Sequence, residues 1–141
     1  MGLIVKAGAT VYLDTNPLIY LTEGNPAFKA SLEKLFVAFE AAQARFITSE
    51  LALTETLVRP LRNGDTELVA IYERLFDTLV QPLPVSREVL IFAAQLRAQT
   101  PSLKTPDAIH LATATLAKAD AFVSSDSGIK ALPAFMQRFS I

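Results

Sequence analysis

The sequence predicts an α/β fold: a single domain over residues 1–141, with a mostly parallel central sheet of four to five strands and helices on both faces. Three observations carry this. Short β-rich runs alternate with helical stretches along the chain. Apolar residues make up 51% of the sequence and charged residues 19%, a balance that suits strands buried on both sides. No repeat, low-complexity tract or linker interrupts the 141 residues, a length that supports one hydrophobic core.

The elements follow in order. TVYLD (10–14) reads as a strand ending at Asp14. Asn16-Pro17 has the form of an N-cap with proline in the first turn and opens a short helix through Leu21. Asn25-Pro26 repeats that signal, and Leu32, Leu35, Phe36 and Phe39 then recur at helical spacing. RFITS (45–49) is a short strand, and Ser49 is placed to cap a helix to about Leu61, which Asn63-Gly64 stops. Asp65 caps the next helix, with Leu68, Ile71, Tyr72 and Leu75 on one face. VQPLPV (80–85) is a strand whose two prolines assign it to a sheet edge. Ser86 caps a helix to about Gln99. Thr105-Pro106-Asp107 starts a very apolar helix to Lys118. AFVSS (121–125) is a strand ended by Asp126; a short helix and a last weak strand complete the chain.

Bulk properties narrow the function. No apolar stretch is long enough to cross a bilayer, and the N-terminus lacks the pattern of a secretory signal. Zero cysteines exclude disulfides, thiolate metal sites and cysteine nucleophiles, so a cytoplasmic location fits. The net charge of −1 and pI of about 5.8 argue against nucleic-acid binding through a broad basic surface. Any such role has to rest on a local site.

Ligands of open α/β sheets bind beyond the carboxyl ends of the strands, and acids stand there. Asp14 and Asp126 each end a β-rich run and precede a helix start. The ordinary reading of such an aspartate is an N-cap, but Asn16 and Ser127 are available for capping. Asp107 stands in the first turn of its helix, where compensation of the helix dipole is the plain alternative. Glu55 is interior to SELALTETLVRP, where a solvated face, with Arg59 at i,i+4, is the plain reading. Glu50, five residues away and rotated by about 140°, reads as a first-turn dipole residue.

Taken together, four carboxylates arise from elements that meet at one sheet edge. Clustered carboxylates repel unless a cation neutralises them. A hard divalent ion with oxygen ligands, Mg²⁺ or Mn²⁺, does so and suits hydrolysis of a phosphodiester by activated water.

These stretches resemble PIN-domain ribonucleases, and most closely the VapC-type toxins of prokaryotic toxin–antitoxin pairs. The matching segments are VYLDTNPLIYL (11–21), ITSELALTETLV (47–58), LKTPDAIHLATA (103–114) and AFVSSDSGI (121–129). PDAIHLATA followed at this spacing by a strand and SSD is the most specific piece. The family often has Thr-Asn or Thr-Asp where this chain has Ser124-Ser125.

The resemblance implies a PIN-like three-layer fold and a Mg²⁺- or Mn²⁺-dependent endoribonuclease. It implies Asp14, Glu55, Asp107 and Asp126 as catalytic metal ligands, an RNA substrate, a small antitoxin partner and a homodimer. Thr15, Asn16 and Ser124 are candidates to support the carboxylates. His110, the single histidine, is weighed as a general base but favoured as a packed, hydrogen-bonded residue. Lys104 and Arg59 stand near the expected site as possible phosphate contacts, the solvated charge being the plainer reading. Two other readings are a PIN-like binding module without activity and a phosphatase with Asp14 as nucleophile. The second would want another aspartate where Asn16 stands.

Overall fold

In the computed structural model, which describes residues 4–125 and 132–141, β1 (Thr10–Leu13) is the central strand of a five-stranded sheet. It pairs with β2 (Arg45–Ser49) on one side and β4 (Ala121–Ser124) on the other. β3 (Val80–Leu83) lies outside β2 and β5 (Gln137–Ser140) outside β4, giving the order β3-β2-β1-β4-β5 with every pairing parallel. β3 is thus an edge strand, where Pro82 is tolerated.

The helices are α1 (Thr15–Glu23), α2 (Lys29–Ala41), α3 (Leu51–Arg62), α4 (Thr66–Thr78), α5 (Arg87–Gln99) and α6 (Thr105–Leu116). They cover both sheet faces, and strand alternation decides which side chains they meet. Tyr12, Ile47 and Phe122 face α5 and α6, packing with Val89, Ala93 and Leu111. Val11, Leu13 and Val123 face the other way, onto Leu18, Leu35, Phe39, Ala52, Tyr72 and Phe76 from α1 to α4. The high apolar content is therefore largely spent on two cores. Leu61, Ile71, Leu79, Leu90 and Ile91 nevertheless remain exposed, so Ile71 does not join the inward face of α4 expected for it.

Several helix boundaries follow the sequence signals. Asp65 Oδ1 accepts from the Leu68 amide and Ser86 Oγ from the Val89 amide, each at 3.1 Å. α3 ends at Asn63, and Gly64 takes the left-handed conformation (φ 66°) beyond it. Two starts differ. α1 begins at Thr15, one residue before Asn16, and its N-cap is Asp14 itself. α6 begins at Thr105, with Lys104 in the cap position and no capping side chain. In both places the chain turns helical as soon as the strand or turn ends, so the proline falls inside the first turn.

β1 leads to β2 and β3 on one side, whereas β4 returns on the other. The order therefore reverses between β1 and β4, and a crevice opens at their carboxyl ends. Leu13 and Val123 are register partners, and the Asp14 amide donates to Val123 O at 3.0 Å. Asp14 is thereby fixed at the switch point.

Candidate active site

Asp14 is nearly buried, at 6% exposure. Its Oδ1 accepts from the Thr15 amide at 2.9 Å, and its Oδ2 accepts from the Ser124 hydroxyl at 3.1 Å. Both donors are neutral. Among the described residues no lysine or arginine forms an ion pair with Asp14; the sole basic group in range is His110 Nε2, 3.7 Å from Oδ1. A carboxylate withdrawn from water and surrounded by neutral donors is a natural seat for a cation.

Glu55 reaches the same place from α3. Its Oε1 accepts from the Thr15 hydroxyl at 2.8 Å and lies 2.7 Å from His110 Nε2. Its side chain stays 30% exposed, so it faces the crevice. Burial opposes ionisation of Glu55, but the His110 hydrogen bond and charge, with the Thr15 hydroxyl, outweigh it and hold the carboxyl below its usual range. The expected i,i+4 pair with Arg59 does not form: Arg59 turns to Glu23 on α1, which also accepts from the Tyr72 hydroxyl. Glu55 is left to the site.

His110 projects from α6 between the two acids and is 1% exposed. Its Nδ1 lies 2.6 Å from the Tyr12 hydroxyl, and its Nε2 also lies 3.1 Å from Thr15 Oγ1. It is the packed, hydrogen-bonded histidine favoured from the sequence, but its partner is a site carboxylate. Burial, followed by the nearby charges of Asp14 and Glu55, pushes the Tyr12 phenol well above its usual range, so Tyr12 keeps its proton. Tyr12 stacks on Phe122, ring centroids 5.1 Å apart. Sequence reading had not singled out Tyr12. The signal was available: two residues before Asp14, strand alternation sends it to the α6 face, where a buried phenol needs a partner.

The other expected residues are placed as follows. Asp107 is half-buried in the first turn of α6, one turn ahead of His110. The Thr15 hydroxyl donates to Glu55 and the Ser124 hydroxyl to Asp14. Asn16 is exposed and donates to Ser125 Oγ at 3.2 Å. Glu50 is exposed at the start of α3 and Lys104 is exposed before α6. Asp126, with Ser127 and the short helix expected after them, lies outside the described residues.

Among the described residues, no three histidine or acidic side chains converge into a group that could hold a metal ion. The donor chemistry nonetheless fits a hard divalent cation, since Asp14 and Glu55 offer carboxylate oxygens and the surrounding donors are neutral hydroxyls, an amide and an imidazole.

The chain belongs to the PIN domain family, whose profile matches residues 11–134. No curated protein sequence matches it significantly. Solved structures share the fold. A toxin–antitoxin complex from Klebsiella pneumoniae is 23% identical, covers 93% of this chain and 99% of its own, and superposes with a TM-score of 0.62. VapBC2 from Rickettsia felis, bound to a DNA fragment from their promoter, is 15% identical, with coverages of 92% and 98% and a TM-score of 0.69. FitAcB from Neisseria gonorrhoeae is 19% identical, with coverages of 92% and 96% and a TM-score of 0.55. Family membership supports a nuclease, a hydrolase, as the general class of activity.

Proposed function

We propose that this protein is a divalent-metal-dependent endoribonuclease and the toxin of a toxin–antitoxin pair. The observation that carries the reading is the meeting of Asp14 and Glu55, from separate elements, on His110 Nε2 at the switch point. Asp14, Glu55, Asp107 and Asp126 would hold Mg²⁺ or Mn²⁺. That ion, when bound, supplies Lewis-acid activation of water and neutralisation of phosphate charge.

The chain's own groups do the rest. Ser124 and the Thr15 amide hold Asp14 in one orientation. Thr15 and His110 fix Glu55 at one oxygen. The carboxylates would hold the cation, whose charge would be available to RNA phosphate, so the acidic pI is no obstacle to a local site of this kind.

The antitoxin partner is supported by the fold neighbours, which include toxin–antitoxin complexes. Exposed Leu21, Ile71 and Leu79 beside Phe36 and Phe46 line an apolar groove suited to an antitoxin segment, and exposed Leu90 and Ile91 on α5 suit a homodimer contact.

The test is cleavage of single-stranded RNA by wild type and Asp14→Asn, free of antitoxin, with Mg²⁺, with Mn²⁺ and with chelator. Wild type cleaves only with metal, and the variant loses cleavage. Equal cleavage by both proteins, or none by wild type with either metal, overturns the reading and leaves a PIN-fold binding module.

A further inference from the structure

The two carboxylates differ in how they are held. Asp14 is restrained at both oxygens, by the Thr15 amide and the Ser124 hydroxyl. Glu55 is restrained only at Oε1, where Thr15 Oγ1 at 2.8 Å and His110 Nε2 at 2.7 Å converge. Among the described residues nothing donates to Glu55 Oε2, although the side chain faces the crevice.

The His110 ring is itself oriented from behind. An ionised Glu55 only accepts, so the 2.7 Å contact places a hydrogen on Nε2. The other ring nitrogen, Nδ1, is hydrogen-bonded with the Tyr12 hydroxyl at 2.6 Å. The Thr48 and Thr113 hydroxyls flank the phenol. They donate their own hydrogens to Leu13 O and Ile109 O, both at 2.7 Å. A continuous hydrogen-bonded line therefore runs from Tyr12 through His110 to Glu55.

We infer that His110 is a positioning residue: steadied by Tyr12, it clamps Glu55 Oε1 together with Thr15 and presents Oε2 to an incoming divalent cation. The inference rests on the metal-dependent reading above, but the clamp is a property of the chain alone. The clamp restricts the rotamers of Glu55 through Oε1 alone, and Oε2 would be the atom left to hold a cation. Partners that orient a metal-binding carboxylate in this way typically change metal affinity by about 10–100-fold when removed.

The chain has a single histidine, so its ring nitrogens give one unambiguous set of signals. Long-range ¹H–¹⁵N correlation on the ¹⁵N-labelled full chain is expected to show a hydrogen on Nε2, retained at saturating Mg²⁺. Calorimetric titration with Mg²⁺ compares wild type with His110→Gln, whose amide can both donate and accept, and His110→Leu, which can do neither. Binding is expected to weaken by about tenfold or more in the leucine variant and to stay within about threefold in the glutamine variant.

A bare Nε2, loss of the Nε2 hydrogen on adding Mg²⁺, or a folded leucine variant that binds Mg²⁺ like wild type would each overturn the clamp. Thermal unfolding of both variants separates misfolding from lost positioning; if the leucine variant is unfolded, the wild-type Nε2 signal decides. Should wild type bind no Mg²⁺, the metal reading fails, and the nitrogen pattern still decides whether the clamp exists.

Discussion

Thr15 Oγ1 donates to Glu55 Oε1 at 2.8 Å, so the residue that follows Asp14 is bonded to the acid on α3. One threonine couples the end of β1 to the second carboxylate while its amide holds the first. Thr15→Val keeps the shape and the amide but removes the hydroxyl. Hydrogen bonds to charged groups contribute about 1.5–3 kcal/mol. Metal-dependent RNA cleavage is therefore expected to fall by about tenfold or more, with Thr15→Ser recovering most of it. Wild-type rates from the valine variant would show that the hydroxyl has no part in the site.

Asp14→Asn separates stability from activity. Asparagine caps a helix about as well as aspartate, and its side-chain oxygen can still accept from the Thr15 amide. Its melting curve is expected to stay within about 1 kcal/mol of wild type while cleavage is lost. Unfolding of the variant at ordinary temperature would contradict this.

Tyr72 and Glu55 give pH dependences of opposite sign. Tyr72 donates to Glu23; burial, then the Glu23 hydrogen bond and charge, raise its phenol above the ordinary 10.0. The stability this lends is full below the ordinary value and is lost as pH rises beyond it. Tyr72→Phe should therefore unfold less steeply in alkali, while losing about 1–2 kcal/mol near neutrality.

Glu55 is held below its ordinary value of 4.5. Its contribution is present above that value and is lost as pH falls through the lower folded one. Glu55→Gln should show a shallower acid limb in denaturant unfolding, and an unchanged limb would refute the assignment.

Phe39 is fully buried and meets Phe36, Phe46 and Phe139 edge-on. Phe39→Ala removes an aromatic that joins α2 to two strands and is expected to cost about 3–5 kcal/mol in chemical denaturation. A loss under about 1 kcal/mol would mean that this face of the sheet repacks freely.

Much of the architecture was legible because strong local signals agreed with one another. Asp65, Ser86 and Asn63-Gly64 punctuate helices where their chemistry says they should, and Pro82 sends β3 to the edge. The misplaced start of α1 has a physical cause. Asp14 and Asn16 are both competent caps, and local sequence cannot say that the β1–β4 crevice turns the chain at the first of them.

Asp14 and Glu55 were legible as candidate acids, but the bonds around them were not. That Thr15 and Ser124 bond these carboxylates follows from register and sheet order, which no window of sequence contains. Arg59 looked like a partner for Glu55 by helical spacing, yet Glu23, Arg59 and Tyr72 gather from three helices. The link from Tyr12 to His110 spans 98 positions and depends on β1 and α6 packing face to face.

Asp14 both caps α1 and lines the crevice, and the same Oδ1 that holds the Thr15 amide lies toward His110. The opening of a helix and the floor of the site thus share one atom. Any ligand that draws on that oxygen must alter the shielding of the Thr15 amide, so its hydrogen-exchange rate is an intrinsic gauge of occupancy, readable without substrate or turnover.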